Sequence, residues 1–172
     1  MSTRQERQRQ KTLLRKLLQK KQIADPVARR LLEDEIERGA GTEVYRLDDD
    51  GSGQPMYFNV TAMREWATKH CETFSWPPDM ARAQRLVESG AVDPDHIRDH
   101  TIQTQMTPII VCHGILGGDQ IVDGAHRFVA ACMGAAMFGV NTPFIPGYAL
   151  QPDEWKPFVI PRATAEAYAD YR

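Results

Sequence analysis

The sequence of 172 residues has few cysteines, no long apolar run and little net charge. Its three cysteines, Cys71, Cys112 and Cys132, are an odd number without Cys-X-X-Cys spacing, which argues against a disulfide framework and a zinc ribbon. The longest stretch without charge, residues 128–152, is interrupted by glycines and prolines. It therefore does not predict a membrane-spanning helix.

The N-terminus also lacks the apolar core of a signal peptide, so we expect a cytoplasmic protein without a membrane partner. Hydrophobic residues make up 42% of the chain and charged residues 26%, which excludes wholesale disorder. The length corresponds to one domain, or to one domain with an arm.

Charge is distributed unevenly along the chain. Residues 1–21 hold eight Lys or Arg residues against one acid and carry +7, so the remainder carries −9 to give the net charge of −2. Such an arm suits DNA, RNA, an anionic surface or the acidic face of another subunit, although a solvated helix without a partner is the plain alternative. Four leucines at helical spacing predict a narrow apolar stripe on it: Leu13, Leu14, Leu17 and Leu18.

The first half of the chain alternates helical and strand patterns. Asp25 and Pro26 predict a helix start, and the glycines near residue 40 predict its end, so residues 1–41 form a basic helical arm and residues 42–172 a domain. Two short runs, 43–47 and 56–60, predict a hairpin with a solvated acidic loop. Two helices are then predicted, capped by Thr61 and Asp79, on either side of a rigid loop at residues 75–78.

A turn or short helix after Asp93 contains His96 and His100, whose i, i+4 spacing is that of zinc-binding helices. The glutamate that follows the first histidine in such helices is replaced by Ile97. We therefore do not favour a metal site here.

The second half begins with a strand, a glycine turn and another strand, at residues 109–112, 114–118 and 120–122. A helix from Ala125 to Phe138 is apolar almost all round, which predicts burial against a sheet. A strand at 144–150 and a helix at 163–171 follow. The pattern predicts an α+β protein with a small mixed sheet flanked by helices.

The strongest chemical signal is the strand–turn–helix junction, which reads Asp123, Gly124, Ala125, His126 and Arg127. A glycine turn before a helix leaves the first N–H groups without helical acceptors, which favours phosphate binding at the helix dipole. Arg127 can hold phosphate with two bonds, and His126 can donate or act as an acid or base. Asp123 can hold Mg²⁺ or orient an attacking group. Alternatively, the turn is structural, with Asp123 capping the helix and Arg127 pairing with a surface acid.

These residues, in this order, resemble the core of the ParB/sulfiredoxin superfamily: Pro108 with the strand 109–111, the hairpin, and Ile121–Arg127 leading into an apolar helix. The resemblance is closest over residues 101–138 and looser over 42–160. It implies a ParB/sulfiredoxin-like fold in which Gly124, Ala125, His126 and Arg127 bind nucleotide phosphates.

Departures from the family pattern narrow the expected activity. Ala125 stands where sulfiredoxins carry the catalytic cysteine. Chromosome-partition ParB proteins carry an acidic residue at this turn, and that residue is missing here. The Asp-Gly-X-His-Arg form is more similar to free-serine kinases and to small ParB-like proteins of phages and plasmids. The kinases use a further glutamate as base, for which Glu65, Glu72 and Glu88 are candidates by position only.

The leading hypothesis is therefore a nucleotide-binding ParB-like enzyme that hydrolyses or transfers a phosphoryl group from ATP or CTP with Mg²⁺. Its catalytic residues would be Asp123, His126 and Arg127, and Asp123 would also be the metal ligand. One rival is a non-catalytic DNA-associated module of phage or plasmid origin that uses residues 1–21 to bind DNA or another subunit. Another is a ParB-like nuclease, which lacks a recognisable second carboxylate cluster for two metals.

Overall fold

The computed structural model describes residues 8–9, 11–13, 15–16, 23, 25–38, 41–48, 52–97, 107–138 and 145–170, which form a mixed α+β protein. The helices are α1 Pro26–Arg38, α2 Val60–His70, α3 Met80–Glu88, α4 Pro94–Ile97, α5 Ala125–Phe138, α6 Pro152–Trp155 and α7 Arg162–Asp170. The strands are β1 Val44–Leu47, β2 Met56–Asn59, β3 Phe74–Trp76, β4 Ile109–Ile115, β5 Gly118–Asp123, β6 Ile145–Leu150 and β7 Val159–Ile160.

The chain forms two compact units, one from residues 1–61 with 158–172 and the other from residues 62–157. The predicted boundary after residue 41 lies inside the first unit, and the division into an arm and a domain stays a prediction. Within the described residues, no helix is both long enough and apolar enough to cross a membrane.

The first unit contains the antiparallel sheet β1-β2-β7. The predicted hairpin is confirmed, with Leu47 opposite Met56 at its turn end. Helices α1 and α7 pack together, and the Tyr168 hydroxyl donates to buried Glu35 at 2.7 Å. The buried apolar residues of this unit include Ile23, Ala28, Leu31, Leu32, Ile160 and Ala165.

The start of α1 follows the sequence prediction. Asp25 accepts hydrogen bonds from the N–H groups of Val27 and Ala28 at 2.9 and 2.8 Å, so its carboxylate satisfies two of the donors that a helix start leaves without acceptors. Pro26, which has no N–H to satisfy, occupies the first helical position.

The second unit contains a four-stranded sheet in the order β3-β6-β4-β5. Strands β4 and β6 are parallel and the other pairs are antiparallel, so the sheet is mixed as predicted, although the chain builds two sheets rather than one. The predicted pairing of β4 with β5 is confirmed. Both strands extend further into the expected turn, which shrinks to Leu116 and Gly117, with φ of 55° and 72°.

Helix α5 has the predicted bounds, but its burial differs along its length. Phe128, Val129 and Cys132 are buried in the core of the second unit, whereas Met133 and Met137 are 43% and 75% exposed. The prediction of complete burial is therefore wrong for the C-terminal half. An apolar helix can keep exposed methionines where no other element packs on that face.

Two local predictions are wrong and one is confirmed. Thr61 does not cap α2, because the helix begins at Val60 and the Thr61 hydroxyl accepts a hydrogen bond from the Glu43 N–H. Residues 74–76 form strand β3 rather than the start of a loop. Asp79 caps α3 as predicted, since its side chain accepts a hydrogen bond from the Arg82 N–H. Several predicted features lie outside the described residues: Gly39, the side chain of His96, His100, Leu14, Leu17 and Leu18.

Candidate functional site

The predicted site is a tight turn that joins β5 to α5. Asp123 is the last residue of β5, and Gly124 adopts a φ of +86° before the helix begins at Ala125. The first helical hydrogen bond runs from the Phe128 N–H to the Gly124 carbonyl at 2.9 Å. The N–H groups of residues 125–127 therefore have no acceptor within the helix and lie at its positive end.

The Asp123 carboxylate is buried and holds two arginines. Its Oδ2 accepts a hydrogen bond from Arg64 Nε at 2.8 Å and lies 3.3 Å from Arg127 Nη2, while only 5% of the side chain is exposed. A carboxylate at this depth needs such partners, because burial without them is costly. Asp123 thus serves as the acceptor for the arginines, and the alternative in which Arg127 pairs with a surface acid is wrong.

Arg127 is held on the strand side of the turn. Its Nη2 donates to the Pro108 carbonyl at 3.2 Å, its Nε is buried without a hydrogen-bond partner, and its side chain is 16% exposed. The predicted phosphate clamp is therefore tied to the protein by its terminal nitrogen. This arrangement stiffens the turn and limits how far the guanidinium can reach outward.

His126 and Ala125 lie in the first turn of α5 with different surroundings. The Nε2 atom of His126 accepts a hydrogen bond from the Asp93 N–H at 3.1 Å, so the proton of a neutral ring is on Nδ1. Ala125 packs against the core of the second unit. The His126 contact fixes the loop that precedes α4, and its predicted acid–base role stays a prediction.

Two guanidinium groups and a helix start meet at the turn. Arg64 and Arg127 share the Asp123 carboxylate at the start of a 14-residue helix, whose dipole adds positive potential there.

The donor set does not fit a magnesium ion held by the protein. One oxygen of Asp123 is already shared by two arginines, and the described residues contain no group of three or more His, Cys, Asp or Glu side chains suited to a metal. Mg²⁺ that arrives with a nucleotide, and the metal role of Asp123, stay predictions.

The other predicted chemical residues are not brought into this turn. Glu65 and Glu72 are exposed, and Glu88 accepts a hydrogen bond from Gln84 at 2.7 Å. None of the three forms an ion pair with a described residue of the turn. Cys112 and Cys132 are fully buried, as predicted for core residues, and burial raises the pKa of the Cys112 thiol to about 12.

Sequence reasoning missed Arg64, which lies 59 residues before Asp123 on helix α2. No local motif marks it, since its link to the turn exists only after the chain folds. An ion pair to a buried carboxylate is predictable only once the burial of Asp123 is known.

A second polar cluster, also missed, surrounds the tip of the β4–β5 hairpin. His113 Nδ1 lies 2.6 Å from Asp119 Oδ1, and Arg82 donates to the Asp119 carbonyl. A cavity of about 550 Å³ lies beside it, lined partly by Asp79, Arg82 and Arg85. Both signs of charge line this cavity, so it gives no clear preference for an anion.

Comparison with protein-family models, curated proteins and solved structures gives no match to the chain.

Proposed function

We propose that this protein binds a nucleotide by its phosphate groups at the turn from Asp123 to Arg127, in the manner of a ParB-like protein. One observation carries the proposal: two guanidinium groups converge on one carboxylate at the N-terminus of a 14-residue helix. Guanidinium groups and the N–H groups at a helix start, here those of residues 125–127, are donors of the kind that bind a phosphate.

The resemblance in residue order supports the same proposal. In the proposed ParB/sulfiredoxin-like arrangement, a strand that starts after Pro108, a hairpin and a glycine turn lead into α5, and the described strands β4 and β5 with helix α5 follow this order. The Arg127 bond to the Pro108 carbonyl links the two ends of this segment. This hydrogen bond therefore fixes the start of β4 next to the start of α5, where the phosphate site is proposed.

The contacts support nucleotide binding more directly than turnover. The Nε2 atom of His126 is engaged by the Asp93 N–H, and the Asp123 carboxylate is engaged by arginines, so neither is positioned as a ready base. Hydrolysis or transfer of a phosphoryl group from ATP or CTP stays a prediction, which an assay of released phosphate tests.

The experiment for the proposal is a thermal-shift screen of the full chain with ATP, CTP, GTP and UTP, each with and without Mg²⁺. A ligand that binds only the folded state raises the melting temperature by mass action. We expect at least one triphosphate to raise it in proportion to the logarithm of its concentration, with the matching nucleoside inactive. If no nucleotide raises it at millimolar concentration, the proposal is wrong.

A second candidate function is binding of DNA through residues 1–21. The described residues of this segment are helical, and Arg9, Arg15 and Lys16 are exposed there without an ion pair to any described residue. Such a helix presents cations to phosphates without a loss of internal contacts. Deletion of residues 1–21 should remove DNA binding and leave nucleotide binding intact.

A further inference from the structure

An apolar groove lies among three helices of the second unit. Helices α3 and α4 both pack against α5, and residues of all three line a groove of about 400 Å³. Ala83 and Val129 in this groove are buried, whereas Met80 and Met133 are 48% and 43% exposed. Because methionine side chains are flexible and apolar, such a surface is suited to receive the apolar face of a helix.

Acidic side chains lie beside this groove. Gln84 lines the groove and donates a hydrogen bond to the Glu88 carboxylate at 2.7 Å, and α4 carries the exposed Asp95. The two arginines of α3, Arg82 and Arg85, line the separate cavity of about 550 Å³. The groove is therefore complementary to an apolar helix face that is flanked by cations.

The N-terminal segment of the chain has this chemistry. Its described residues, 8–9, 11–13 and 15–16, are helical, and Leu13 in the predicted leucine stripe is 57% exposed. Arg9 and Lys16 lie one turn before and one turn after Leu13 and are exposed as well. Residues 1–21 carry +7 and the rest of the chain −9, so this segment of one copy and the remainder of another attract each other.

We propose that the groove binds the N-terminal helical segment of a second copy of this chain, with Leu13 in the groove and Arg9 and Lys16 facing the acids beside it. A helix with a narrow apolar stripe gains most of its stability from packing, which the groove supplies. Reciprocal exchange of the segments covers both apolar surfaces in a closed dimer. The proposal does not depend on nucleotide binding.

The first experiment is sedimentation of the full chain over a range of concentrations, with a melting curve for each variant. Met133→Lys places a cation in the groove, and Leu13→Lys places one in the apolar stripe. Leu116→Lys changes an apolar side chain that is 50% exposed in the β4–β5 turn and serves as the matched control.

We expect a dimer whose dissociation constant rises at least tenfold in Met133→Lys and in Leu13→Lys and less than twofold in Leu116→Lys. The dilute variants should melt close to the dilute wild type, because both altered side chains are exposed. A wild type that stays monomeric would overturn the proposal, and so would a dimer that either groove or stripe variant leaves intact.

A second experiment identifies which surfaces meet. Leu13→Cys and Met133→Cys are made in separate full chains that also carry Cys71→Ser, which removes the partly buried native thiol. We expect a disulfide to join the two different chains when they are mixed under mild oxidation. A disulfide that forms only between two Met133→Cys chains would show groove-to-groove pairing and would contradict the proposal.

Discussion

The guanidinium of Arg127 occupies the space that a side chain at Gly124 would need. A Cβ added to Gly124 would lie 2.7 Å from Arg127 Nη2 and 2.7 Å from Ile109 Cγ2, which is closer than carbon atoms tolerate. The same glycine has a φ of +86°. Two features therefore require glycine at position 124: its positive φ and the arginine packed against it.

We expect Gly124→Ala to lower the free energy of unfolding by about 3 kcal/mol, because backbone strain and steric overlap add. Two glycines separate these causes. Gly117 has a φ of +72° with open space around it, so replacement by alanine should cost about 1 kcal/mol. Gly118 has neither a positive φ nor a close neighbour, so the same replacement should change stability by less than about 0.5 kcal/mol. Urea unfolding measures the loss in the free energy of unfolding for each of the three variants. Equal losses would contradict this explanation.

The burial of Asp123 leads to a prediction about stability. Asp123→Ala leaves two arginines without their shared acceptor, so we expect a loss of about 3 kcal/mol in the free energy of unfolding. Asp119 lies on the same strand, but its side chain is 40% exposed and pairs with His113. Asp119→Ala should therefore cost less than about 1 kcal/mol. Comparable losses for the two variants would argue against a structural ion pair at Asp123.

The cap at Asp25 predicts a specific pH dependence. The hydrogen bond from the Ala28 N–H is the main cause that lowers the pKa of Asp25 below its ordinary value of 3.8. A carboxyl with a lowered pKa stabilises the folded state above its ordinary pKa, and that contribution is lost as the pH falls through the folded value. The melting temperature of Asp25→Asn should thus lie below that of the wild type at pH 7, and the difference should shrink at more acidic pH.

The control for this experiment is Glu65→Gln, which removes an exposed acid from α2. Its melting curve should follow that of the wild type at each pH. If Asp25→Asn also follows the wild type over the whole range, the capping carboxylate does not contribute as described.

The cysteines should differ in reactivity. Burial raises the pKa of all three thiols, but Cys112 and Cys132 are inaccessible whereas Cys71 is only partly buried. Because the thiolate is the reacting species, we expect Ellman's reagent at pH 8 to modify one thiol per native chain and three after unfolding. The Cys71→Ser variant should show none in the native state. Rapid modification of two or three thiols would contradict the burial of the other pair.

The basic segment predicts a salt response. Eight cations in residues 1–21 should give a DNA binding constant that falls with salt with a log–log slope of several units. Filter binding of the full chain and of a chain that lacks residues 1–21 measures this slope. If affinity and slope are unchanged by the deletion, another role must be found for the segment, and a fall in solution mass on deletion would indicate subunit assembly.

Much of the fold that depends on local chemistry was predictable, although the cap at Thr61 was not. Asp25 and Asp79 are N-caps, and residues 125–138 form a helix, because capping and apolar periodicity act within one turn or one element. The long-range contacts were not predictable in this way. The link between Arg64 and Asp123 joins residues 59 positions apart, and the exposure of Met137 depends on which elements pack against α5.

The same distinction applies to the candidate site. The turn and its glycine follow from the sequence, since a strand, Gly124 and an apolar helix occur in order. The partners within the turn do not, because the sequence alone left two possibilities for Arg127, a phosphate clamp or an ion pair with a surface acid. In the folded chain Arg127 instead contacts the buried Asp123 and the Pro108 carbonyl.

Direct binding of a nucleotide to the full chain tests the central claim most directly. Equilibrium dialysis with the labelled triphosphate selected by the thermal screen measures both affinity and stoichiometry. We expect saturable binding of one nucleotide per chain that unlabelled pyrophosphate displaces. Binding that does not saturate, or that pyrophosphate fails to displace, would contradict a phosphate site at the start of α5.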